Sequence, residues 1–417
     1  MRAIAIIATL DTKGDQVEYL KRLIEDDGHS TIVIDAGVLG EPFFQPTVSR
    51  HRVAQAAGKS LEDIIKLNYE LHAVAEMTEG VCKVVKELYS NDKLNGVLAV
   101  GGSMGTSLAL EVMKVIPIGI PKLIISTIAY SPAINPDMLS SDAMMLPWVG
   151  GLWGINSLSK QVLNTAAGAI SGAAKAYDKK QGIPKKLVAV TSLGGVVNRY
   201  MIQLKPALEE RGYEVAAFHA TGMSGRILEQ LVHDGAIAAV LDLSVGLELL
   251  NLVTGSAFSA GEHRLEAAGK MGIPQIVSPG LISRFHWGAD KPLPAKYLRR
   301  PQPRPHNYLL NAIQANTKEQ AAVGKLMAEK LNLSTGPTAV IIPLKRFQPV
   351  KGFHHPIIEK SIWDPDAGLR AFRKALNRHL KPEVRVIELE DASIDDPQYT
   401  STVLRLFDEL MDNMPET

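Results

Sequence analysis

Short apolar runs alternate along the chain with longer stretches whose apolar residues recur every three or four positions. The runs predict buried strands, and the amphipathic stretches predict helices. Ala3–Thr9, Ser30–Gly37 and Pro121–Thr127 are predicted strands, as is the run Val97–Val100. Near-continuous apolar strands are typical of parallel sheets covered by helices on both faces, so we expect an α/β fold.

The strand and helix pattern starts again after Asp178–Lys186, a charged segment that contains Gly and Pro. Such segments typically join domains, so we place the boundary between residues 182 and 183. The expected domains are 1–182 and 183–417, the first nucleotide-binding and the second substrate-binding. Each is predicted to hold a Rossmann-like open, mostly parallel sheet with helices on both faces.

Several stretches are predicted in outline only. Residues 53–89 are predicted as one helical region, and 196–211 and 262–271 as helices. The Pro- and Arg-rich stretch 281–311 is predicted to be a long irregular loop, and such loops are usually functional or disordered.

A glycine-rich turn, GGSMGTS, follows the strand that ends near Gly101. At such a turn the backbone N–H groups of a helix N-terminus lack partners and no Cβ atom blocks them, which favours anion binding. The motif is neither a Walker A nor a dinucleotide GxGxxG sequence, and a tight turn without a ligand is the alternative. Hydroxyl groups that could join the amides belong to Ser103, Thr106 and Ser107.

Charged residues end two of the first-half strands and occur after a third. In TLDTKG, Lys13 could supply the positive charge that the glycine turn lacks, while Asp11 could orient Lys13 or hold Mg²⁺ through water. A helix cap and a solvated lysine are the alternative. Asp35 stands where Rossmann-like folds place a ribose-binding acid, and Asp142 either caps a helix or serves a site.

The second half contains a similar turn, HATGMSGR, in which Arg226 could form a fork to a carboxylate or phosphate. For each histidine taken alone, a structural role is favoured. No histidines have the spacing of zinc ligands. The residues of this half that we expect to bind or act on a substrate are Thr221, Gly222, Ser224, Gly225, Arg226, Glu248, His263, Arg264 and Ser278.

Composition limits the classes of partner. A net charge of +1 gives no bulk electrostatic case for nucleic acid or an anionic membrane. The single cysteine, Cys82, excludes an intramolecular disulfide framework and a multi-cysteine metal site. The N-terminal apolar run is too short for a signal peptide, and no run approaches the roughly 18 residues of a membrane span. We therefore expect a cytoplasmic location.

The combination of motifs resembles the ATP-binding family of the tomato-mosaic-virus resistance protein, also called uncharacterised protein family 0261. The resemblance covers nearly the whole chain. It rests on stretches such as ATLDTKG, GVLAVGGSMGTSLA, FHATGMSGR, FSAGEHRLEAA and GIPQIVSPG. This chain departs from the family where Met104 replaces a glycine of the turn.

The resemblance implies two Rossmann-like domains, a homodimer, and ATP with Mg²⁺ in the crevice of the first domain. Asp11 and Asp142 would be the metal ligands. By position, the nucleotide site would comprise Asp11, Thr12, Lys13, Gly101, Gly102, Ser103, Gly105 and Thr106, with Ser126, Thr127 and Asp142 nearby.

The favoured hypothesis is an ATP-dependent enzyme that acts on a small carboxylate metabolite, a small anionic partner. Catalysis would fall to Lys13, Asp142, His263 and Arg264, through positioning and charge stabilisation. A nucleotide-binding regulatory or interaction protein without catalysis is one alternative. An ATP-independent lyase, isomerase or hydrolase at the domain interface is another.

Overall fold

The computed structural model describes residues 1–135, 138–140, 142–148, 150–151, 153–178, 186–193, 199–298, 300, 304–345 and 365–414. The chain divides into two compact units, Met1–Gly182 and Ile183–Thr417. The domain boundary itself, and the start of the helix predicted at 196–211, lie outside the described residues. Among the described helices, none is long and apolar enough to cross a membrane.

The first unit is built on one parallel sheet with the strand order β2-β1-β3-β4-β5. Its strands are β1 (Ala3–Ala8), β2 (Ser30–Asp35), β3 (Gly96–Gly101), β4 (Lys122–Ser126) and β5 (Ala143–Pro147). Its helices are α1 (Leu10–Asp26), α2 (Arg50–Ala57), α3 (Leu61–Lys66), α4 (Glu70–Ser90), α5 (Ser103–Lys114) and α6 (Ser157–Ala176).

Both faces of this sheet are buried, because successive side chains of a strand point to opposite faces. In β1, Ala5 and Ile7 join a core that includes α2 to α5, whereas Ile4 and Ile6 join one that includes α1 and α6. This explains why the strand sequences are continuous apolar runs rather than alternating ones.

The second unit has a six-stranded parallel sheet with the order β14-β13-β9-β8-β6-β7. Its strands are β6 (Leu187–Ser192), β7 (Glu214–His219), β8 (Ala239–Asp242), β9 (Gln275–Val277), β13 (Thr338–Pro343) and β14 (Arg385–Leu389). Its helices are α7 (Arg199–Glu210), α8 (Met223–His233), α9 (Gly246–Thr254), α10 (Ala267–Lys270), α11 (Ala295–Leu298), α12 (Thr317–Leu331), α13 (Pro365–His379) and α14 (Pro397–Asp412). The predicted fold class is confirmed in both units.

The sequence predicted an irregular loop over residues 281–311, but this stretch contains strands. It contributes most of a small antiparallel sheet with the order β10-β12-β11. The strands are β10 (Arg284–Gly288), β11 (Arg304–Pro305) and β12 (Leu310–Gln314). In β10 polar and apolar residues alternate, and Phe285 is buried against Tyr297. Proline and arginine at its borders masked this two-residue period.

Other predicted elements differ in their bounds. The helical region predicted at 53–89 divides into three helices, because Gly58 takes a left-handed conformation and Ser60 caps α3. The helix predicted at 262–271 shrinks to α10, because Leu265 has a φ of 70°. Strand β5 escaped prediction; as the outer strand of its sheet it is only partly buried.

The strand order reverses beside the first strand of each parallel sheet. Strand β1 lies between β2 and β3, and β6 lies between β7 and β8. In open α/β sheets, ligands bind beyond the carboxyl ends of the strands at such a reversal. This edge of each sheet is therefore where a site is to be sought.

Candidate functional site

In the first unit, two helices begin at the reversal point, α1 directly after β1 and α5 directly after β3. The residue before α5, Gly102, makes no side-chain cap hydrogen bond. The first backbone N–H groups of an α-helix have no partner within the helix, and the helix dipole places positive potential there. The start of α5 is thus suited to an anion.

Close packing explains one glycine of the turn. A Cβ atom on Gly101 would lie 2.6 Å from the Cα atom of Gly105, so only glycine lets the chain turn from β3 into α5. Gly102 is different, because its nearest neighbour would be Thr127 Oγ1 at 3.8 Å. Packing therefore requires Gly101, whereas Gly102 leaves open space before the helix.

Hydroxyl groups near the turn fall into two sets. Thr106 and Ser126 are buried and share a hydrogen bond of 2.7 Å, and the backbone N–H of Ile128 donates to Ser126 Oγ at 3.1 Å. These two residues hold the turn against the end of β4. Ser103 and Thr127 are exposed, so their hydroxyls remain accessible at this edge.

Lys13 lies in the first turn of α1, at the same edge. Its Nζ donates to the carbonyl oxygen of Thr12 at 3.1 Å, and Thr12 in turn shares a hydrogen bond of 2.7 Å with Thr9. Within the described part of the chain, no carboxylate lies within ion-pair distance of Lys13. Its positive charge is therefore not neutralised by a partner there.

Asp35 is buried at the end of β2 and caps α1. Its Oδ1 accepts hydrogen bonds from the backbone N–H of Leu10 at 3.0 Å and of Gly37 at 2.9 Å. Burial raises the pKa of Asp35, as does the charge of Asp11, while these N–H groups lower it. One oxygen of this carboxylate is therefore committed to the main chain, which leaves Oδ2 as its remaining acceptor.

Asp11 holds the following loop in a similar way. Its Oδ2 accepts hydrogen bonds from the backbone N–H of Leu39 at 2.8 Å and of Gly40 at 3.2 Å. A Cβ atom on Gly37 would lie 2.9 Å from Asp11 Cγ, so the two carboxylates of Asp11 and Asp35 both contact Gly37. Asp11 Oδ1 and Asp35 Oδ2 are buried with no hydrogen-bond partner among the described residues.

Asp142 lies at the other edge of the sheet, just before β5 begins. It forms an ion pair with Lys122, whose Nζ lies 2.7 Å from Oδ1, and it accepts the backbone N–H of Gly119 at 2.8 Å. Lys122 is the first residue of β4, so this pair sits at the amino ends of the strands. The structure thus separates Asp142 from Asp11, and the predicted metal pair is not brought together.

The second glycine turn is occupied by the chain itself. The backbone N–H of Gly222, just before α8, donates to Glu248 Oε1 at 2.7 Å. Glu248 Oε2 accepts from Arg264 Nε at 2.7 Å. A Cβ atom on Gly225 would lie 2.5 Å from the Glu248 carboxylate, so Gly225 makes room for this ion pair. The structure thus brings these four predicted site residues together, but they contact one another.

Arg264 is fully buried and surrounded by carboxylates. Besides Glu248, it donates to Glu229 Oε1 at 2.9 Å and to Asp242 Oδ1 at 2.9 Å. Burial raises the pKa of Glu248 against the opposing effect of Arg264, and the three carboxylates raise the pKa of Arg264 well above its usual value. All three guanidinium nitrogens donate to carboxylates of the chain itself, so Arg264 is held in an internal contact.

The other predicted residues of the second unit are scattered. Ser278 is buried after β9, while Thr221 and Ser224 are partly exposed at the start of α8. Arg226 donates to the carbonyl oxygen of Ser259 at 3.5 Å. His263 is exposed, with Nδ1 3.1 Å from Glu266 Oε2.

Sequence reasoning missed two charged residues that decide these arrangements. Glu229 lies four residues after Gly225 on α8, so the two residues share one face of the helix. This spacing was the signal in the sequence that both face Arg264. Lys122 begins an apolar strand and is buried, and nothing in the sequence indicates that it pairs with Asp142.

Similarity to known proteins agrees with this architecture. Family models described as the N-terminal and C-terminal domains of uncharacterised protein family UPF0261 match residues 2–179 and 185–411. The chain belongs to UPF0261. A UPF0261 protein of Brucella suis is 38% identical over 97% of this chain and 94% of its own length.

A plant protein and a solved structure are more distant matches. The ToMV resistance protein Tm-1(GCR237) of Solanum lycopersicum is 28% identical over 97% of this chain and 55% of its own length. A solved UDP-GlcNAc 2-epimerase of Neisseria meningitidis, bound to UDP-GlcNAc, aligns at 12% identity over 66% of this chain and 82% of its own, with a TM-score of 0.22. A likeness this weak says nothing about activity.

Proposed function

We propose that the first unit binds the phosphate groups of a nucleotide, ATP with Mg²⁺, and that the chain is an ATP-dependent enzyme acting on a small carboxylate. One observation carries the nucleotide proposal: α5 begins without a cap at the point where the strand order reverses. Lys13 and the exposed hydroxyls of Ser103 and Thr127 lie at the same edge of the sheet.

The chain's own residues would act there by binding and orienting. The free amides of the first turn of α5 would donate to phosphate oxygens, and Lys13 would leave the Thr12 carbonyl to contact them. Water would be excluded on one side by the buried Thr106–Ser126 pair, which fixes the turn. Such preorganised donors stabilise charge without reorganising during a reaction.

Asp11 and Asp35 are the residues that would hold a metal ion, in place of the ligand set expected from the sequence. Mg²⁺ favours one or two carboxylates together with phosphate oxygens. Asp11 and Asp35 each keep a buried oxygen without a described partner, and they replace the separated pair of Asp11 and Asp142. When bound, the ion would neutralise phosphate charge.

A regulatory protein that binds a nucleotide without turning it over is the second candidate. This candidate is favoured because two predicted catalytic residues are engaged in ion pairs. Asp142 is paired with Lys122, and Arg264 is enclosed by carboxylates. In either case we expect a cytoplasmic homodimer. Phosphate release from ATP in the presence of small carboxylates would separate the two candidates.

Thermal unfolding with Mg·ATP tests the nucleotide site. A ligand at about 100 times its Kd stabilises the native state by about 2.7 kcal/mol, so the melting temperature of the wild-type chain should rise by several degrees. Lys13→Ala should remove most of this rise. Lys21→Ala is the matched control, because Lys21 is on the same helix and is exposed beside Glu25.

The proposal fails if millimolar Mg·ATP leaves the wild-type melting temperature unchanged. A rise that is equal in Lys13→Ala and Lys21→Ala would remove Lys13 from the site. Asp11→Asn adds a check on the metal, since the rise should then lose its dependence on Mg²⁺ concentration.

A further inference from the structure

The small antiparallel sheet of the second unit has one apolar and one basic face. Successive residues of a strand point to opposite faces. Phe285 and Trp287 pack against Tyr297, with ring centroids 5.3 Å and 5.9 Å apart. Arg284 and His286 alternate with them, so they share the other face of β10.

His286 is buried without hydrogen bonds. Its exposed fraction is 5%, and neither ring nitrogen has a partner within the described part of the chain. Leaving a buried polar group unsatisfied costs about 1–3 kcal/mol, so such a group needs an explanation. Burial, together with the charges of His306 and Arg284, lowers the pKa of His286 to about 4, so the ring is neutral near pH 7.

Two more basic side chains surround this imidazole. The ring of His306 lies 4.7 Å from that of His286 in an edge-on arrangement. Arg284 is half-buried, and burial lowers its pKa. In the described ranges, no carboxylate forms an ion pair with Arg284, His286 or His306. A half-buried guanidinium without a counter-charge is costly, because charges taken out of water are normally paired.

The loop between α9 and α10 covers the same place. The backbone N–H of Ala257 donates to the carbonyl oxygen of His286 at 2.8 Å, and the Phe258 ring lies 5.3 Å from the imidazole. Next to Ala257, Ser256 Oγ is buried with no partner among the described residues. An arginine, two imidazoles and a hydroxyl thus have spare hydrogen-bonding capacity, beside one aromatic wall.

We infer that Arg284, His286 and His306 form an oxyanion-binding site, which takes the carboxylate or phosphate group of a small molecule. The guanidinium presents a planar fork that matches two oxygens of either group, and an imidazole N–H can donate to the same anion. The anion would supply the acceptors that these donors lack. The inference deepens the proposed function, because it moves the anionic partner away from Arg264, whose nitrogens are already engaged.

Binding of inorganic phosphate and of malonate to the full chain tests the site, with each anion titrated separately by calorimetry at constant ionic strength. We expect saturable binding of at least one anion, weakened about tenfold or more by Arg284→Gln and several-fold by His286→Gln. Arg405→Gln and His233→Gln are matched controls, since both residues are exposed in the same unit. The stronger anion identifies the group that the site takes.

A second measurement uses the wild-type chain and is independent of variant folding. An anion beside His286 raises the pKa of its imidazole, so binding near pH 6 should take up protons and shift the His286 ring resonances in NMR spectra. Proton uptake is read from calorimetry in two buffers of different ionisation enthalpy. Binding that leaves the His286 resonances unmoved overturns the inference.

The outcomes separate this site from the nucleotide site. Binding lost in Lys13→Ala but retained in a folded Arg284→Gln chain would place the anion in the first unit and overturn this inference alone. Binding lost in Arg284→Gln while the Mg·ATP effect persists supports it. Absence of saturable binding of either anion up to about 20 mM also overturns it, because weaker binding is not specific.

Discussion

The two glycine turns of this chain have the same arrangement of strand, glycines and helix, but they differ in whether a side chain occupies the turn. In the first unit, Gly102 precedes α5 without any side-chain cap. In the second, the backbone N–H of Gly222 before α8 already donates to Glu248, which is held by Arg264. A strand, a glycine turn and a helix therefore create a place for an anion, and the rest of the fold decides whether the chain fills it.

The same contrast holds for the charged residues at the strand ends. In the first unit, Asp11 and Asp35 accept hydrogen bonds from main-chain N–H groups, and no carboxylate among the described residues pairs with Lys13. In the second, the acidic residues enclose one guanidinium. A charged residue after a strand thus has two uses in this chain, to hold main-chain N–H groups or to balance another charge.

The largest effect should come from removing the guanidinium of the second unit. Arg264→Met leaves Glu229, Asp242 and Glu248 facing one another, and breaking a buried pair costs about 3–5 kcal/mol. Hydrogen exchange should show lost protection in β6 and β8 but not in β1 and β3. Arg405→Met, an exposed pair on α14, should change stability by less than about 1 kcal/mol. Unchanged protection in β8 would mean that the carboxylates do not depend on Arg264.

The buried pair of the first unit allows an asymmetric test. Asp142→Ala leaves the fully buried Lys122 without a counter-charge and should cost about 3 kcal/mol. Lys122→Met should cost less, because the Asp142 side chain is 26% exposed and can be hydrated. Denaturant unfolding measures both. Equal losses would contradict this account, and a lost Mg·ATP effect in a folded Asp142→Ala chain would return Asp142 to the nucleotide site.

The open turn itself can be tested with two neighbouring glycines. Gly101→Ala should destabilise the first unit by about 1–3 kcal/mol, since its Cβ atom would meet the backbone of Gly105. Gly102→Ala should change stability by less than about 1 kcal/mol, because its Cβ atom has space. Melting temperatures without ligand give the comparison. If both variants are equally unstable, Gly102 has a backbone requirement that packing does not explain.

Asp35→Asn should give the smallest effect, and one that depends on pH. Because burial raises the pKa of Asp35 in the folded chain, its contribution to stability is fully present below the unfolded pKa and declines as the pH rises through the folded value. Asparagine keeps an oxygen for Leu10 and Gly37 but cannot ionise. The stability of Asp35→Asn relative to wild type should therefore be higher at pH 7 than at pH 4. A constant difference would contradict the raised pKa.

The sequence was sufficient for the architecture because apolar runs and helical periods are local signals. Both parallel sheets followed from runs such as β1 and β6. Strand β5, partly buried at the sheet edge, and β10, whose alternation was masked by nearby arginine and proline, carried weaker signals. Local patterns therefore identified the strands that helices cover on both faces.

The site was harder to predict because it depends on pairing over long separations. The sequence placed Gly101 after the strand, whereas it is the last residue of β3, and contact with Gly105 explains its glycine within a few residues. By contrast, Arg264 contacts Glu229 and Asp242 from different elements, and Asp142 meets Lys122 across two strands. Which charges neutralise each other is a property of the folded chain, and no spacing in the sequence reveals it.

Glu248 has a consequence for how this fold can change. A carboxylate tethered at the start of α8 has a high effective concentration, so a dissolved metabolite competes with it poorly. Replacing Glu248 alone would leave Arg264 with fewer counter-ions, and replacing Arg264 alone would leave acids facing one another. Freeing the second turn for a ligand therefore requires Glu248 and Arg264 to be replaced together. Single substitutions do not reach such a variant, but a designed double substitution does.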